Sequence, residues 1–295
     1  MAELDRDFGN GRDFRIEYYG ADVIEVIPNI PWFSGIPTET REDRQTVWRL
    51  TSAVPSILPL LEQDLPAADP AMINYIHNAR AKYPDKAIFL LMLTPLEIIM
   101  GKRLMQDFFL DLYDYPEQVK ELCYKIGTHQ THIIDDILNL CDIDVVYMGG
   151  DICANTGALL SSEILRSLWL APMKRVTGTV HRRNIPVFVH TDGRVIEILD
   201  LIAESGVDGL NPLQANLQED AEFRPWKDKF IVYGSLDNNF IIPKGPESAI
   251  RQHIRDKFEH LKDGKGLIMS SHDIQGDTPQ NYIDVMVDEI KKCTY

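Results

Sequence analysis

The chain has 295 residues, 44% hydrophobic and 25% charged, an ordinary composition for a soluble globular protein with ample length for a large core. A formal net charge of −15 argues against nucleic acid or an anionic membrane surface as a partner. The four cysteines, Cys123, Cys141, Cys153 and Cys293, make no CxxC pair, and the polar start MAELDRDFGNGRDFRIEYYG carries no targeting pattern, so a reducing cytoplasm is the expected compartment.

In chain order, a first strand is expected at 23–27. Residues 28–70 are Pro-rich and irregular, an elaboration on a single domain that spans 1–295. Trp32 and Phe33 fall in that segment, where they could cover a binding site or pack in the core. The next strand, at 88–93, belongs to the longest apolar stretch, Ala87–Leu93, which is far too short to cross a bilayer. A helix follows at 116–140, then a strand at 145–148. Ser161 or Ser162 caps a helix at 162–183 that Asn184 ends in the left-handed conformation. Strand 186–189 leads to a helix at 195–205 stopped by Gly206, and further strands are expected at 207–210, 230–233 and 267–269. Helices at 246–261 and 279–292 complete the order, the latter opened by Thr278-Pro279.

Several of these strands are continuous apolar runs, as parallel strands covered on both faces require. Repeated strand-then-helix order predicts a parallel sheet. Polar or small residues follow one strand after another: Gly149-Gly150-Asp151, His190-Thr191-Asp192-Gly193, Asn211-Pro212, Gly234-Ser235-Leu236-Asp237 and Ser270-Ser271-His272-Asp273. In a (β/α)8 TIM barrel all such ends converge on one site. A doubly wound sheet would place its site at one switch point, usually beside a glycine-rich phosphate loop, and no such loop occurs. The α/β class with a (β/α)8 barrel is therefore expected, with Asp151, His190, Asp237 and His272 at one rim.

Three motifs could carry chemistry. In HTDG, residues 190–193, His190 and Asp192 lie two apart on an extended segment and can face the same side. Imidazole and carboxylate are both good ligands for a divalent metal. The alternative is a strand-ending turn in which Asp192 caps a helix and His190 is a hydrogen-bonded core residue. In MSSHDIQGDTP, residues 269–279, His272 could join them, or bond locally to Asp273 or Asp277. Two histidines and an aspartate would leave coordination positions open, as a catalytic metal needs. In YMGGDICANTG, residues 147–157, the glycines let backbone approach a ligand. There Asp151 or Tyr147 could hydrogen-bond a substrate or leaving group, and Asn155 could orient a substrate or water. Asn211 and Asp237, at their own strand ends, are further candidates for substrate binding. Cys153 reads as a small buried residue rather than a nucleophile.

From about Phe14 to Lys292 the sequence resembles the uroporphyrinogen decarboxylase superfamily, especially its methyltransferase-like members. The resemblance rests on GGDICANTGALLSSEILRSLWLAPMKRV, IPVFVHTDGRVIEILDLIAESGVDGLNPLQ, FIVYGSLDNNFIIPKGPESAIRQHI and GLIMSSHDIQGDTPQNYIDVMVDEI, in that order. It implies a (β/α)8 barrel, here with an abbreviated N-terminus, and a site at the C-terminal strand ends. The methyltransferase members move methyl groups to or from a corrinoid, and many hold zinc with an H-x-C motif and a later cysteine. The matching positions here are His190, Asp192 and His272, so oxygen and nitrogen replace both sulfurs and the implied site is a harder divalent one, zinc being the expected ion. The implied reaction moves a methyl group from a small methylated donor of the methyl ether type to a corrinoid carried by a partner protein. Decarboxylation of uroporphyrinogen is the alternative, although the Arg- and Gly-containing N-terminal segment that handles that substrate's carboxylates has no counterpart here. A non-catalytic barrel that binds a corrinoid or tetrapyrrole is a third reading.

Overall fold

A computed structural model describes residues 15–33, 53–67, 70–271 and 273–294. Strand β1 (Val23–Val26) precedes α1 (Leu58–Glu62), α2 (Pro70–Lys82) and β2 (Ala87–Leu93). Next come α3 (Pro95–Met100), α4 (Met105–Asp114), α5 (Pro116–Leu140) and β3 (Val145–Gly149). A short antiparallel hairpin, β4 (Cys153–Ala154) and β5 (Gly157–Ala158), leads to α6 (Ser162–Leu165), a π-helical turn (Arg166–Leu170) and α7 (Ala171–His181). Then follow β6 (Val187–His190), a 3-10 turn (Ile196–Ile198), α8 (Leu199–Glu204), β7 (Gly209–Asn211) and α9 (Asp220–Phe223). The last elements are β8 (Ile231–Tyr233), α10 (Glu247–Leu261), β9 (Leu267–Ile268) and α11 (Gln280–Ile290).

All seven expected strands form, and they pair in parallel in the order β1-β2-β3-β6-β7-β8-β9. The sheet curls into a TIM-barrel-like α/β fold. Its curl brings β8 back toward β1, where the Tyr233 hydroxyl donates to Glu25 Oε1 at 3.0 Å. An eighth parallel strand is not among the described residues. No described helix is long and apolar enough to cross a membrane.

Side chains alternate across each strand, so both faces of the sheet need apolar residues. Outward-facing Ile24, Val26, Ile88, Leu90, Val146, Met148, Val187 and Val189 join the large core beneath the helices. Inward-facing Phe89, Val145, Tyr147 and Phe188 form a separate cluster that fills the barrel. The Phe89 ring meets Phe188 at 5.5 Å and Tyr233 at 5.7 Å, both edge to face. Gly209 makes this possible, because a Cβ there would stand 2.5 Å from the Phe188 ring.

Most of the expected helix signals hold; Pro279, expected at the first helical position, instead stands at the N-cap, one residue before the helix begins at Gln280. The Ser161 hydroxyl accepts from Ile164 N at 3.3 Å, and Asn184 and Gly206 have φ of 57° and 83°. The Asp192 cap does not form: the turn after HTDG begins at Ile196, with Val195 before it and no side-chain cap. The π turn within the 162–183 helix carries the fully buried Trp169. Pro172 stands just beyond it and has no N–H to give the preceding turn. The helices α1 to α4 were not expected. Within 28–70, residues 34–52 and 68–69 lie outside the described residues.

Candidate active site

The register aligns the C-terminal ends of neighbouring strands: Leu93 pairs with Gly149, Gly149 with His190, and His190 with Asn211. Strand alternation sends Tyr147, His190 and Asn211 into the barrel, while Met148, Val189 and Leu210 face the helices.

Asn211 organises the group. Its Nδ2 donates to the Tyr233 carbonyl at 2.7 Å, which turns Oδ1 toward the other two side chains. The Tyr147 hydroxyl donates to that oxygen, and His190 Nδ1 lies 2.8 Å from it. An amide oxygen only accepts, so His190 Nδ1 carries a proton there. In the neutral ring Nε2 then presents a lone pair. It faces Asp151 Oδ1 at 3.7 Å and Asp192 Oδ1 at 4.0 Å. Ligand atoms of Asp151, His190 and Asp192 all lie within 4.8 Å of one another. Two carboxylates around an imidazole lone pair form a donor set suited to a divalent cation.

Backbone geometry holds this cluster. Asp192 N donates to Asp151 Oδ1 at 2.8 Å, and Asp151 N donates to Glu97 Oε2 at 3.3 Å. Ile152 N donates to the Thr191 hydroxyl at 3.0 Å. Gly193 has φ +98°, and a Cβ there would lie 2.7 Å from the Ala154 carbonyl and 2.8 Å from Cys153 Cβ. The glycine of HTDG therefore lets the loop after β6 lie flat against the β4–β5 hairpin. Gly150, at φ +152°, performs a similar service for Glu97, whose Cβ a side chain at 150 would meet at 2.8 Å.

A cavity of about 300 Å³ opens above the cluster. Glu25, Glu97 and Asp151 give it carboxylates, Tyr147 and Tyr233 give it rings, and Leu91 and Leu93 give it apolar wall. No lysine or arginine is among the described residues that line it. Burial, and then the Asp151 charge, push the Glu97 carboxyl above its ordinary range. Burial above all holds the Tyr147 phenol well above the usual tyrosine value, and burial followed by the Glu25 charge raises Tyr233. Both phenols therefore keep their protons at neutral pH. A second cavity of about 400 Å³ shares Leu93 and Glu97 with the first and reaches Trp32 and Lys102.

Of the expected residues, Tyr147, Asp151, His190, Asp192 and Asn211 come together. Asp151, expected to act on substrate, joins His190 and Asp192 as a third potential metal ligand. His272, expected in that place, lies outside the described residues. Asn155 is exposed on the turn between β4 and β5 and does not line the cavity. Asp237 is buried, and its Oδ1 accepts from Asn239 N and Phe240 N at 2.9 and 2.8 Å, so it shapes its own loop. Its N–H donates to His253 Nε2 at 3.0 Å, and burial lowers that imidazole's pKa, which favours the accepting neutral ring. Phe33 is buried in the main core, while Trp32, also buried, faces the second cavity. Cys153 is buried, and desolvation pushes its thiol up to about 12.

Sequence reasoning missed Glu25, Glu97 and Tyr233. An acidic residue within the otherwise apolar strand VIEV was the available signal for Glu25. The Thr94-Pro95-Leu96-Glu97 pattern, a helix start with Thr94 as N-cap, was the signal for Glu97.

The family model described as uroporphyrinogen decarboxylase (URO-D) matches residues 93–293. A methyltransferase from Methanosarcina mazei has a similar solved structure, with TM-score 0.71 and 16% identity over 99% of this chain and 90% of that one; at that identity the likeness is one of fold. A chitinase from Rhizomucor miehei is a more distant match, with TM-score 0.43 and 11% identity over 78% of this chain and 89% of that one. No curated protein sequence matches the chain.

Proposed function

The chain belongs to the uroporphyrinogen decarboxylase family, and from that premise we propose that it is a corrinoid-dependent methyltransferase. It moves a methyl group from a small methylated donor, of the methyl ether type, to a corrinoid held by a separate protein. The observation that carries this reading is the convergence of His190 Nε2 with the Asp151 and Asp192 carboxylates at the mouth of the barrel. The fold likeness to a methyltransferase supports it.

His190, Asp151 and Asp192 would hold a divalent ion, zinc being the first candidate. Such an ion supplies Lewis acidity toward an ether oxygen, which oxygen and nitrogen ligands favour more than thiolates do. Asn211 fixes the imidazole so that Nε2 faces inward, and Tyr147 keeps a phenolic proton beside the cluster. Leu91 and Leu93 provide apolar surface for a small donor. Uroporphyrinogen fits this cavity less well. It carries eight carboxylates, and the described lining offers three carboxylates and neither lysine nor arginine.

The test mixes the purified protein with a reduced corrinoid protein and a panel of methyl ethers. Methylation of the corrinoid, read from its absorption spectrum, is expected with at least one donor. Decarboxylation of uroporphyrinogen, with no methyl transfer across the panel, would overturn the reading. Tight pigment binding without turnover of either kind would point instead to a carrier.

A further inference from the structure

Strand β1 places a charge inside the barrel that the metal cluster does not use. Ile24 and Val26 are buried under the helices, and Val23 packs with the inner aromatic cluster, so Glu25 faces inward as well. Inward positions of such barrels are normally filled by branched apolar side chains, and an ionised carboxylate there is costly unless something meets it. Glu25 Oε1 accepts from the Tyr233 hydroxyl at 3.0 Å, and Oε2 lies 3.9 Å from Arg15 Nη1. Arg15 is 62% exposed at the side chain, so that ion pair is screened and contributes little. The Glu25 carboxylate remains open to the cavity of about 300 Å³ that it shares with Asp151 and His190.

A divalent ion at the cluster would offset the charges of Asp151 and Asp192. Glu25 and Glu97 would remain, and Glu97 is mostly buried against Asp151 N. Glu25 is thus the carboxylate best placed to meet a substrate. The rings of Tyr147 and Tyr233 line the same space, and aromatic faces attract cations.

We propose that Glu25 determines substrate specificity in the methyl-transfer reaction, and this assignment of a donor rests on that reading. Its carboxylate, oriented by Tyr233, receives a hydrogen-bond-donating head group on the methylated donor. It prefers an ammonium to a hydroxyl and repels a carboxylate.

Three probes matched in size test this: protonated 2-methoxyethylamine, 2-methoxyethanol and methoxyacetate, each titrated by ligand-observed NMR against the full chain. The amine should bind tightest and methoxyacetate weakest, with a ratio of about tenfold or more. In Glu25→Gln the ratio should shrink to within about threefold, while divalent-metal content stays as in the wild type. The wild type alone provides a second readout: added salt should weaken the amine and strengthen methoxyacetate. Equal binding of amine and methoxyacetate by the wild type, no binding of any probe, or an unchanged ratio in Glu25→Gln would overturn the proposal. If the ranking holds but none of the probes or a wider ether panel methylates the corrinoid, the methyltransferase reading fails and charge selection by Glu25 stands.

Discussion

Asn211 has one amide oxygen, and two donors converge on it: the Tyr147 hydroxyl and His190 Nδ1–H. Partners of this kind, which orient a ligating imidazole, typically change metal affinity by about 10–100-fold when removed. Asn211→Leu should therefore weaken zinc binding by about that factor, measured by competition with a chelator. His190→Ala should abolish stoichiometric binding, with metal–ligand distances in the loaded wild type of about 2.0–2.2 Å if the ion is zinc. Unaltered zinc affinity in both variants would remove the cluster from consideration as a metal site. HTDG announced His190 and Asp192 because an i, i+2 pair on an extended segment shares a face. Asp151 was expected on the same rim as His190, but its place as a third ligand was not legible, since that depends on how β3 and β6 align. Glu25 was hidden for another reason: one acidic residue in a four-residue strand does not reveal which face is the barrel interior.

At the level of elements, β6 and β7 interlock through a large and a small residue. Phe188 occupies the space that Gly209 leaves open, with register pairing the two directly. Gly209→Ala should overpack the barrel and cost about 1–3 kcal/mol of stability by denaturant unfolding. Adding Phe188→Leu should return part of that loss, because the double variant relieves the contact. Additive losses would show that the glycine matters for some other reason. The strands themselves were legible because both their faces are apolar, and α5, α7, α10 and α11 because their periodicity or caps are strong. Helix α2 was not, since only Met72, Ile76 and Ala79 are buried among its polar residues. The β4–β5 hairpin has two residues in each strand, too few to show alternation. Its position is set by contact with HTDG rather than by its own pattern.

For the whole molecule, acid stability depends in part on the N-terminal end of the barrel. Asp208 receives Val187 N at 3.1 Å and His181 Nε2 at 2.8 Å, with Lys265 Nζ at 3.2 Å. Burial alone would raise its pKa, but the Val187 N–H, His181 and Lys265 together outweigh that and lower it. A carboxyl whose folded pKa is depressed stabilises the protein above its unfolded value of about 3.9, and the contribution disappears as pH falls through the folded value. Asp208→Asn should therefore unfold at lower denaturant than wild type at pH 7, and the gap should narrow below about pH 4. A gap that stays constant into acid would assign the loss to geometry rather than charge. The bond between Tyr233 and Glu25 has a further consequence at this scale. It braces β1 against β8 across the barrel interior and also holds the carboxylate that would greet a substrate, so one contact serves as strut and as receptor. A carboxylate has two acceptor oxygens, so a donor that engages Glu25 could take Oε2 and leave the Tyr233 hydroxyl on Oε1. A ligand held there would add to the contacts between β1 and β8, so its binding would also stabilise the folded barrel.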